Sequence, residues 1–359
     1  MINIIIYEDN DFNLLKPFTL NHATFELRAG GYTNFERIIK LIQKEFSDTN
    51  ISLAVRDELI QIIKEKYPEY KVINKDTISI NKSDDKNYYL NGSNVYKSII
   101  NKEYNEIKYL WDVININGEC IQSDFKNHYN KNFDSNLENI AVVNNDNYIS
   151  KTAKLSPGVV CDASNGPIII CDNVEIGSNT VLEGPLFIGN NSKISPLSLI
   201  RGNTSIGPFC KIGGEVSSSV FQGYTNKVHD GFIGHSYIGE WVNIGAGTNN
   251  SNLKNNYGDV KILLDDKIIN TRLQFMGILI GDYTRIAIGT NLNTGTYISI
   301  GANIFNYSLK LRSICSFAWG PDKKVAFDKF IETVRIMKQR RNKDITEGEK
   351  KYLEYLYNK

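Results

Sequence analysis

The chain is poor in cysteine, and its few cysteines form no recognisable pattern. Five are scattered along 359 residues, and no two of them stand in a C-x-x-C pair. Disulfide-stabilised secreted domains and thiolate zinc sites both use paired or regularly spaced cysteines. We therefore predict neither a disulfide framework nor a cysteine zinc site, and a reducing cytoplasm fits this composition best.

Long apolar runs and an excess of one charge are missing as well. No stretch approaches the roughly 18 apolar residues of a membrane-spanning helix, and the apolar stretch Ile4–Tyr7 is too short for a signal peptide. Lys and Arg number 41 against 40 Asp and Glu, which leaves a net charge of +1. Because a balanced chain creates no long-range field, we predict neither nucleic acid nor a membrane as a partner.

What the sequence does contain is an internal repeat of six residues. Aliphatic side chains occupy every sixth position in one unbroken series, Ile170, Ile176, Leu182, Ile188, Ile194, Ile200, Ile206 and Ile212. Shorter series begin at Ile238 and Ile280. Six residues are three strand steps of two, which suits neither an α-helix nor a hairpin. The repeat predicts a parallel β-helix, in which the aliphatic residue of each hexad points to the axis.

Two further positions follow the same period. Small side chains often stand four residues after the aliphatic residue, and glycine often follows it directly, at Gly177, Gly189, Gly207, Gly213, Gly239, Gly245 and Gly281. We expect these glycines to supply backbone freedom at the corners of the coil. Polar excursions break the repeat between Ile212 and Ile238 and between Thr248 and Ile280, and function usually lies in such excursions.

The first 135 residues have a different pattern, in which strand-like runs alternate with helical spacing. The strand-like runs are Ile2–Glu8, Ile51–Val55, Tyr70–Ile73 and Tyr88–Leu90, and the helical ones are Asn34–Phe46, Glu58–Lys66 and Tyr104–Tyr129. This alternation predicts an α/β domain over 1–135 with a parallel sheet, whose ligands would bind at the carboxyl ends of the strands. The coil would form a second domain over 136–310, and a helical tail over 311–359 would contain helices at Val325–Arg341 and Thr346–Tyr357.

Several longer motifs resemble a known family. They are ELRAGG (26–31), LWDV (110–113), GGEV (213–216), NKVHDGFIGHSYIGEW (226–241) and SNLKNNYG (251–258). Together they are similar to GlmU-like sugar nucleotidyltransferases, in which a nucleotidyltransferase-like α/β domain precedes a left-handed β-helix. The resemblance implies a homotrimeric transferase that makes nucleotide sugars for the cell envelope, with Mg²⁺ as cofactor of nucleotidyl transfer.

The same resemblance implies an acyl-transfer site on the coil. In that family the residue matching His229 takes the proton from a sugar amine that attacks acetyl-CoA or another acyl-CoA, a task that suits imidazole. The other implied roles are catalysis for Asn252, substrate contact for Asn226, Lys227 and Asn243, and acyl-CoA contact for Ala246 and Gly247. Phe232 replaces the family's tyrosine, and Ser217 and Ser218 replace its lysine pair. Another acyl-transfer or sugar-binding role and a purely structural His229 therefore stay as alternatives.

The nucleotide-binding loop also departs from the family pattern. The run 7–19 stands where the phosphate loop is expected but lacks both of its glycines and its arginine. Glycine in that loop lets backbone N–H groups approach phosphates. Lys16, Arg28, Gly30 and Gly31 are our candidates for a substitute nucleotide-binding cradle. The alternative for the last three is a plain turn before the helix 34–46, with Arg28 solvated.

Two metal sites are conceivable on the same grounds. Asp112 is the candidate metal ligand, with a packing and capping role as the alternative. His235 follows His229 by six residues, which suggests imidazoles on neighbouring turns, although a zinc site would need a third ligand.

Three functions remain open at this point. The first is sugar-1-phosphate nucleotidyl transfer, with or without acyl transfer on the coil. The second is acyl transfer from acyl-CoA to a sugar or nucleotide sugar by the coil alone. The third is non-catalytic binding of a nucleotide sugar.

Overall fold

The computed structural model describes residues 2–78, 87–129, 139–305 and 312–359. By its internal contacts the chain divides into two compact units, which differ from the predicted ranges 1–135, 136–310 and 311–359. The first unit comprises residues 1–27, 32–109 and 327–359, and the second comprises 28–31 and 110–326. The C-terminal helices therefore belong to the first unit, and the helix Leu110–His128 belongs to the second.

A four-stranded parallel sheet forms the centre of the first unit. Its strands lie in the order Lys71–Asn74, Thr49–Val55, Ile2–Tyr7 and Asn87–Asn91. The strand Ile2–Tyr7 has neighbours on both edges, which agrees with its near-continuous apolar sequence. Its side chains Ile4 and Ile6 are fully buried. The predicted α/β class with a parallel sheet is confirmed.

The helices of the first unit bury apolar side chains, and residues of three of them share one apolar cluster with the sheet. The helices are Asn34–Glu45, Ile60–Lys66, Phe327–Gln339 and Glu347–Asn358. The first begins at a capping box, in which Thr33 and Glu36 each accept a hydrogen bond from the other's backbone N–H. It buries Phe35, Ile38 and Ile42 in the same apolar cluster as the sheet.

The tail helix Glu347–Asn358 is an integral part of this unit. Tyr352 is buried, and its hydroxyl donates to the carbonyl of Leu20 over 2.7 Å. The backbone N–H of Gly348 donates to the carboxylate of Glu65. The helical pattern predicted from Tyr104 begins only at Leu110, because residues 103–105 instead form a strand antiparallel to Val95–Ser98.

The second unit is a parallel β-helix with three strands per turn. One face contains Asn147–Ile149, Ile168–Ile170, Leu186–Ile188, Thr204–Ile206, Val220–Gly223, Tyr237–Glu240, Ile278–Ile280, Thr296–Ile298 and Ser313–Ile314. The second contains Lys154–Leu155, Glu175–Ile176, Lys193–Ile194, Lys211–Ile212, Asn226–Lys227, Asn243–Ile244, Arg285–Ile286, Asn303–Ile304, Ala318–Trp319 and Lys323–Lys324. The third contains Ala141–Val143, Val160–Asp162, Val181–Glu183, Leu199–Ile200, Glu215–Ser217 and Phe232–Gly234, and the pair Asn249–Asn250 and Asn291–Leu292.

The predicted axial stack is present in full. Ile176, Ile194 and Ile212 are partners in parallel register, so each lies over the residue one turn later. All eight aliphatic residues of the long series are buried and share one apolar cluster. The β-helix architecture is thereby confirmed, while its left-handed sense stays a prediction of the resemblance.

The predicted reason for the corner glycines is wrong. None of the seven has a φ in the left-handed region; that conformation instead occurs three residues after the aliphatic position, at Asn173, Asn179, Asn191, Leu197, Asn203 and Phe209. The glycines are needed because successive turns approach too closely for a side chain. A Cβ at Gly207 would lie 2.1 Å from the carbonyl oxygen of Gln222, and one at Gly213 equally close to that of Val228.

Helices that could cross a membrane are not found within the described residues.

Candidate functional site

His229 lies at an exposed corner of the coil. It follows the strand Asn226–Lys227, and Asp230 beside it is exposed too. The backbone carbonyl of His229 accepts a hydrogen bond from Nζ of Lys227 over 2.9 Å, and that of Asp230 accepts one over 3.4 Å. The corner is thus fixed through its backbone, while the imidazole reaches solvent.

Lys227 is directed into the coil, which corrects its expected role as a surface substrate contact. It pairs in register with Ile212, so it takes the next place of the axial stack. Its side chain is buried, with 1% of the residue exposed, and Nζ also donates to the carbonyl of Gly213 over 2.7 Å. Burial lowers the pKa of Lys227 to about 8. Lys227 therefore shapes the His229 corner from inside.

Asn252 contacts His235. Its Nδ2 lies 2.9 Å from Nδ1 of His235, and the ring of Phe275 stacks on the imidazole at a centroid distance of 5.2 Å. Burial lowers the pKa of His235. The expectation that His229 and His235 lie on neighbouring turns is wrong, because the strand Phe232–Gly234 separates them within one turn.

Two asparagines of the second excursion hold the strand next to this histidine. The side-chain oxygen of Asn249 accepts from the N–H of Phe232, and that of Asn250 accepts from the N–H of Gly234, each over 2.8 Å. Side-chain amides here replace the backbone pairing that a regular turn would provide. The Asn-rich sequence after Thr248 therefore has a structural explanation.

Asn226 and Asn243 lie side by side on one face of the coil. They are partners in parallel register, and Arg285 is the next residue in the same column. Asn243 is exposed, and Nε of Arg285 is enclosed with no hydrogen-bond partner in the described part of the chain. Burial lowers the pKa of the Arg285 guanidinium. The sequence did not indicate Arg285, because its pairing with Asn243 spans the excursion between Thr248 and Ile280 and is known only from the strand register.

Ala246 and Gly247 form an open corner. Gly247 has a φ of +68°, and Gly289 one turn later has a φ of +66°. At Gly289, no atom of the described residues lies within 4 Å of the point where a Cβ would be. Ile288 beside it is 78% exposed. This corner offers backbone and apolar surface without side-chain obstruction, which suits the expected acyl-CoA contact.

Arg28, Gly30 and Gly31 do not form a phosphate cradle. The N–H of Gly30 donates to Asn117 and that of Gly31 donates to Asp124, each over 2.8 Å. The buried Arg28 donates from Nε to the carbonyl of Gln222. These donors are already used within the second unit, which favours the turn, although Arg28 is buried there and not solvated as that alternative expected.

Asp112 lies in the first turn of the helix Leu110–His128, beside the buried Trp111. Neither Asp112 nor His229 belongs to a group of three potential metal ligands among the residues that the structure describes. An acidic residue in a first helical turn is favoured by the helix dipole, which agrees with a capping role for Asp112.

The carboxyl edge of the four-stranded sheet presents a second polar group of residues. The strand Ile2–Tyr7 leads to Asp9, whose carboxylate accepts a hydrogen bond from Nδ2 of Asn91 at the end of the neighbouring strand. Nearby in the same unit, Nζ of Lys75 donates to Oδ1 of Asn10 over 2.7 Å. Asp9 and Asn91 were not among the sequence candidates, although their places after two adjacent strands could have indicated them.

A short 3₁₀ helix replaces the expected phosphate loop. It spans Asn10–Leu15 and ends at the partly buried Lys16. Behind it, the carboxylate of the buried Glu8 accepts the backbone N–H of Thr24 and pairs with Arg56 over 2.6 Å. The Glu8 carboxylate thus accepts a backbone N–H group that could otherwise bind a phosphate. Lys16 remains the predicted phosphate-binding cation of this region.

Comparison with known proteins supports the resemblance to sugar nucleotidyltransferases. Residues 4–95 match the family described as sugar nucleotidyl transferase. A bifunctional sugar-1-phosphate nucleotidylyltransferase/acetyltransferase of Sulfurisphaera tokodaii is 32% identical over 142 residues, which are 39% of this chain and 35% of that protein. The chain thus spans about a third of the length of the relative that it matches. The predicted resemblance to GlmU-like nucleotidyltransferases is confirmed.

Solved acyltransferase structures are similar at low identity. A UDP-N-acetylglucosamine acyltransferase is 18% identical over 44% of this chain and 65% of its own, with a TM-score of 0.16. A variant of a GDP-perosamine N-acetyl transferase from Caulobacter crescentus, in complex with CoA and GDP-perosamine, is 10% identical over 91% of this chain and 97% of its own, also with a TM-score of 0.16. Neither serves as a structural template at such scores, and the fold rests on the strand register.

Proposed function

We propose that the protein is a transferase of nucleotide-sugar metabolism whose first unit carries out sugar-1-phosphate nucleotidyl transfer. The observation that carries this proposal is the family match of residues 4–95, which covers the parallel sheet and its carboxyl edge. Such a reaction joins a nucleoside triphosphate to a sugar phosphate and releases pyrophosphate. Catalysis consists mostly of positioning and charge neutralisation.

The donor groups at that edge fit the Mg²⁺ that the reaction uses. Mg²⁺ prefers oxygen ligands and is usually held by one or two carboxylates together with substrate phosphates. Asp9 offers a carboxylate next to the amide of Asn91, whereas Glu8 is engaged by Arg56. We assign Asp9 to the metal, and Lys16 and Lys75 to the phosphates.

Pyrophosphate release tests this assignment. The protein would be incubated with Mg²⁺, a panel of sugar 1-phosphates, and UTP, CTP, dTTP or GTP in turn. We expect release with one pair and a loss of at least about 100-fold in Asp9→Asn, with Glu69→Gln as the control because Glu69 is an exposed acid of the same unit. Absence of release with every pair would contradict nucleotidyl transfer.

Acyl transfer on the coil is the second candidate. It is favoured by the name of the Sulfurisphaera tokodaii relative and by the open corner at Ala246 and Gly247. An acyl-CoA would be the co-substrate, and an amine-bearing sugar or nucleotide sugar the acceptor. Thiol release from acetyl-CoA in the presence of such acceptors measures this activity, and its absence with all of them would contradict it.

If both activities are absent but a nucleotide sugar raises the melting temperature, the non-catalytic binding role is the correct one. We also propose a cytoplasmic homotrimer that serves cell-envelope glycan synthesis. Light scattering after gel filtration should then give three times the chain mass of 40.7 kDa. A mass of one chain would contradict the trimer.

A further inference from the structure

A pair of tyrosines lies beyond the last strand of the four-stranded sheet. Tyr96 and Tyr104 are directly opposite partners in the antiparallel hairpin that follows the strand Asn87–Asn91. Their ring centroids are 5.2 Å apart, with an angle of 51° between the ring planes. Tyr96 is buried, whereas Tyr104 is 46% exposed. The buried ring therefore supports a partner that offers aromatic surface to solvent.

The hairpin is anchored at the end of its first strand. The carboxylate of Glu45, at the end of the helix Asn34–Glu45, accepts the backbone N–H groups of Ile99 and Ile100 over 2.9 and 2.8 Å. The side chain of Ile99 is buried in the apolar cluster of the sheet. A fixed element of the first unit therefore presents Tyr104.

Hydrogen bonds join the tyrosine pair to the proposed metal ligand. The backbone N–H of Asn91 donates to the hydroxyl of Tyr96 over 3.0 Å, and Nδ2 of Asn91 donates to the carboxylate of Asp9 over 2.6 Å. Burial raises the pKa of Tyr7, and the nearby Asp9 and Tyr104 raise that pKa further. The exposed tyrosine and Asp9 therefore belong to the same part of the carboxyl edge.

The proposed phosphate cation and the tyrosine hairpin follow opposite outer strands of the sheet. Lys75 directly follows Lys71–Asn74, the outermost strand at one end. The hairpin follows Asn87–Asn91, the outermost strand at the other end. Asp9 follows the strand Ile2–Tyr7, which lies between these two. The cation and the aromatic surface are therefore on opposite sides of the proposed metal ligand.

Nucleotidyl transfer needs its two substrates on opposite sides of the reacting phosphorus. The attacking oxygen of the sugar phosphate and the leaving oxygen of pyrophosphate are roughly in line, and the first bond forms as the second breaks. With the pyrophosphate at Lys75 and the reacting phosphate near Asp9, the sugar phosphate approaches from the side of the hairpin. The sugar ring is then next to Tyr104.

A tyrosine is suited to contact a pyranose ring. One face of such a ring presents apolar C–H groups, while its hydroxyls point outward from the rim. Tyrosine combines an apolar ring with a hydroxyl that forms hydrogen bonds. The amide of Asn91 is already used, because Oδ1 accepts from Oγ of Ser93 and Nδ2 donates to Asp9. The exposed aromatic ring is therefore the surface that this end of the edge offers to a sugar.

We infer that the sugar ring of the sugar 1-phosphate packs on Tyr104. This inference depends on the proposed nucleotidyl transfer and names a substrate-binding residue for it that the family resemblance does not assign. Tyr96 and Glu45 are positioning residues, which hold Tyr104 without contacting the substrate.

Steady-state pyrophosphate release tests the inference when the sugar 1-phosphate and the nucleoside triphosphate are varied in turn. We expect Tyr104→Leu to raise KM for the sugar 1-phosphate about tenfold or more, equivalent to about 1.4 kcal/mol of binding. The kcat and the KM for the triphosphate should stay nearly unchanged, as for a contact made equally in the ground and transition states. Tyr104→Phe keeps the ring and should retain most of the affinity.

Two further measurements serve as controls. Leucine keeps an apolar side chain opposite Tyr96, so Tyr104→Leu should have an unchanged melting temperature. Tyr355→Leu, which removes another exposed tyrosine of the same unit, should leave both KM values unchanged. In calorimetric titrations without Mg²⁺, Tyr104→Leu should bind the nucleotide sugar product more weakly and the nucleoside diphosphate without its sugar equally well.

The outcomes separate the inference from the function on which it depends. An unchanged KM for the sugar 1-phosphate in Tyr104→Leu would overturn the role of Tyr104 while leaving nucleotidyl transfer intact. A rise in KM for the triphosphate alone would overturn it too, since the ring would then contact the nucleotide. Equal rises for both substrates with a lowered melting temperature would reduce Tyr104 to a structural role and so overturn it. Absence of pyrophosphate release by the unaltered protein would overturn nucleotidyl transfer and this inference together.

Discussion

Lys227 occupies a place inside the coil that the turns on either side give to isoleucine. It lies over Ile212, and its amine is satisfied by backbone carbonyls, among them that of His229. A buried cation is costly unless its donors are used, and these carbonyls use them. Lys227 thus replaces an apolar side chain of the stack and fixes the backbone of the corner that carries His229.

The pH dependence of stability should reveal this lysine. Its pKa is about 8 in the folded chain against 10.5 when unfolded, so the unfolded chain binds more protons between these values. The free energy of unfolding should therefore rise from pH 8 to 10.5 by roughly 3 kcal/mol relative to Lys227→Met, at about 1.36 kcal/mol per pKa unit. Urea unfolding of both proteins measures the difference, in which the effects of tyrosine ionisation cancel. Parallel curves would contradict the burial of a titrating amine.

Arg285 provides a second prediction at this scale. Arg285 is partly exposed in the Asn243 column, its Nε has no hydrogen-bond partner among the described residues, and a phosphate forms paired hydrogen bonds with guanidinium. In the acyl-transfer assay, Arg285→Met should raise KM for a phosphorylated acceptor about tenfold or more and leave that for an unphosphorylated one unchanged. Arg272→Met, which removes an exposed arginine of the same unit, is the control. Equal effects on both acceptors would contradict phosphate recognition.

At the scale of the elements, the axial stack can be predicted from the sequence, because a buried aliphatic residue recurs at every sixth position. Ile176, Ile194 and Ile212 identify the inward position without any knowledge of neighbouring turns. The close approach of turns at Gly207, by contrast, depends on a backbone 15 residues later, so the sequence shows the recurring glycine but not the reason for it. The contact between His235 and Asn252 could not be predicted either, since each of them lies in an excursion, where the six-residue period is lost.

Truncation within the stack should be costly. Ile194→Ala should lower the free energy of unfolding by about 2–5 kcal/mol, because a buried cavity adds to the lost transfer energy. Leu197→Ala, three residues away and 77% exposed, should change it by less than about 0.5 kcal/mol. Denaturant unfolding measures both, and similar losses would contradict the axial position of Ile194.

The glycines between turns give a contrasting pair. Gly213→Ala places a Cβ 2.1 Å from the carbonyl oxygen of Val228, so the backbone must shift, at a cost of about 1–3 kcal/mol. Gly223→Ala meets no atom closer than 3.4 Å and should be nearly neutral. Thermal unfolding of the two variants decides between steric closeness and backbone freedom. A Gly213→Ala variant as stable as the unaltered protein would contradict the steric explanation.

At the scale of the whole molecule, the two units interleave along the chain. The α/β class, the parallel sheet and the coil were all predictable, because each depends on local periodicity. The joining of residues 327–359 to the first unit was not, since contacts such as Tyr352 with Leu20 link positions more than 300 residues apart. Nothing in the amphipathic pattern of a tail helix identifies the surface that it covers.

The tail helix should therefore be needed for the stability of the first unit. Tyr352→Ala removes a buried ring and should cost about 3–5 kcal/mol, whereas Tyr355→Ala, on the more exposed side, should cost little. Hydrogen exchange should show faster exchange in the strand Ile2–Tyr7 and unchanged exchange in the coil strand Lys193–Ile194. Destabilisation of the coil alone would contradict the assignment of the tail.

We propose that the first unit binds the nucleotide part of a nucleotide sugar. A crystal structure of the protein soaked with the nucleotide sugar and Mg²⁺ that raise its melting temperature most would test it directly. We predict the phosphates and the metal at the carboxyl edge of the four-stranded sheet, beside Asp9 and Asn91. Density for the nucleotide only on the coil, with that edge empty, would contradict the account.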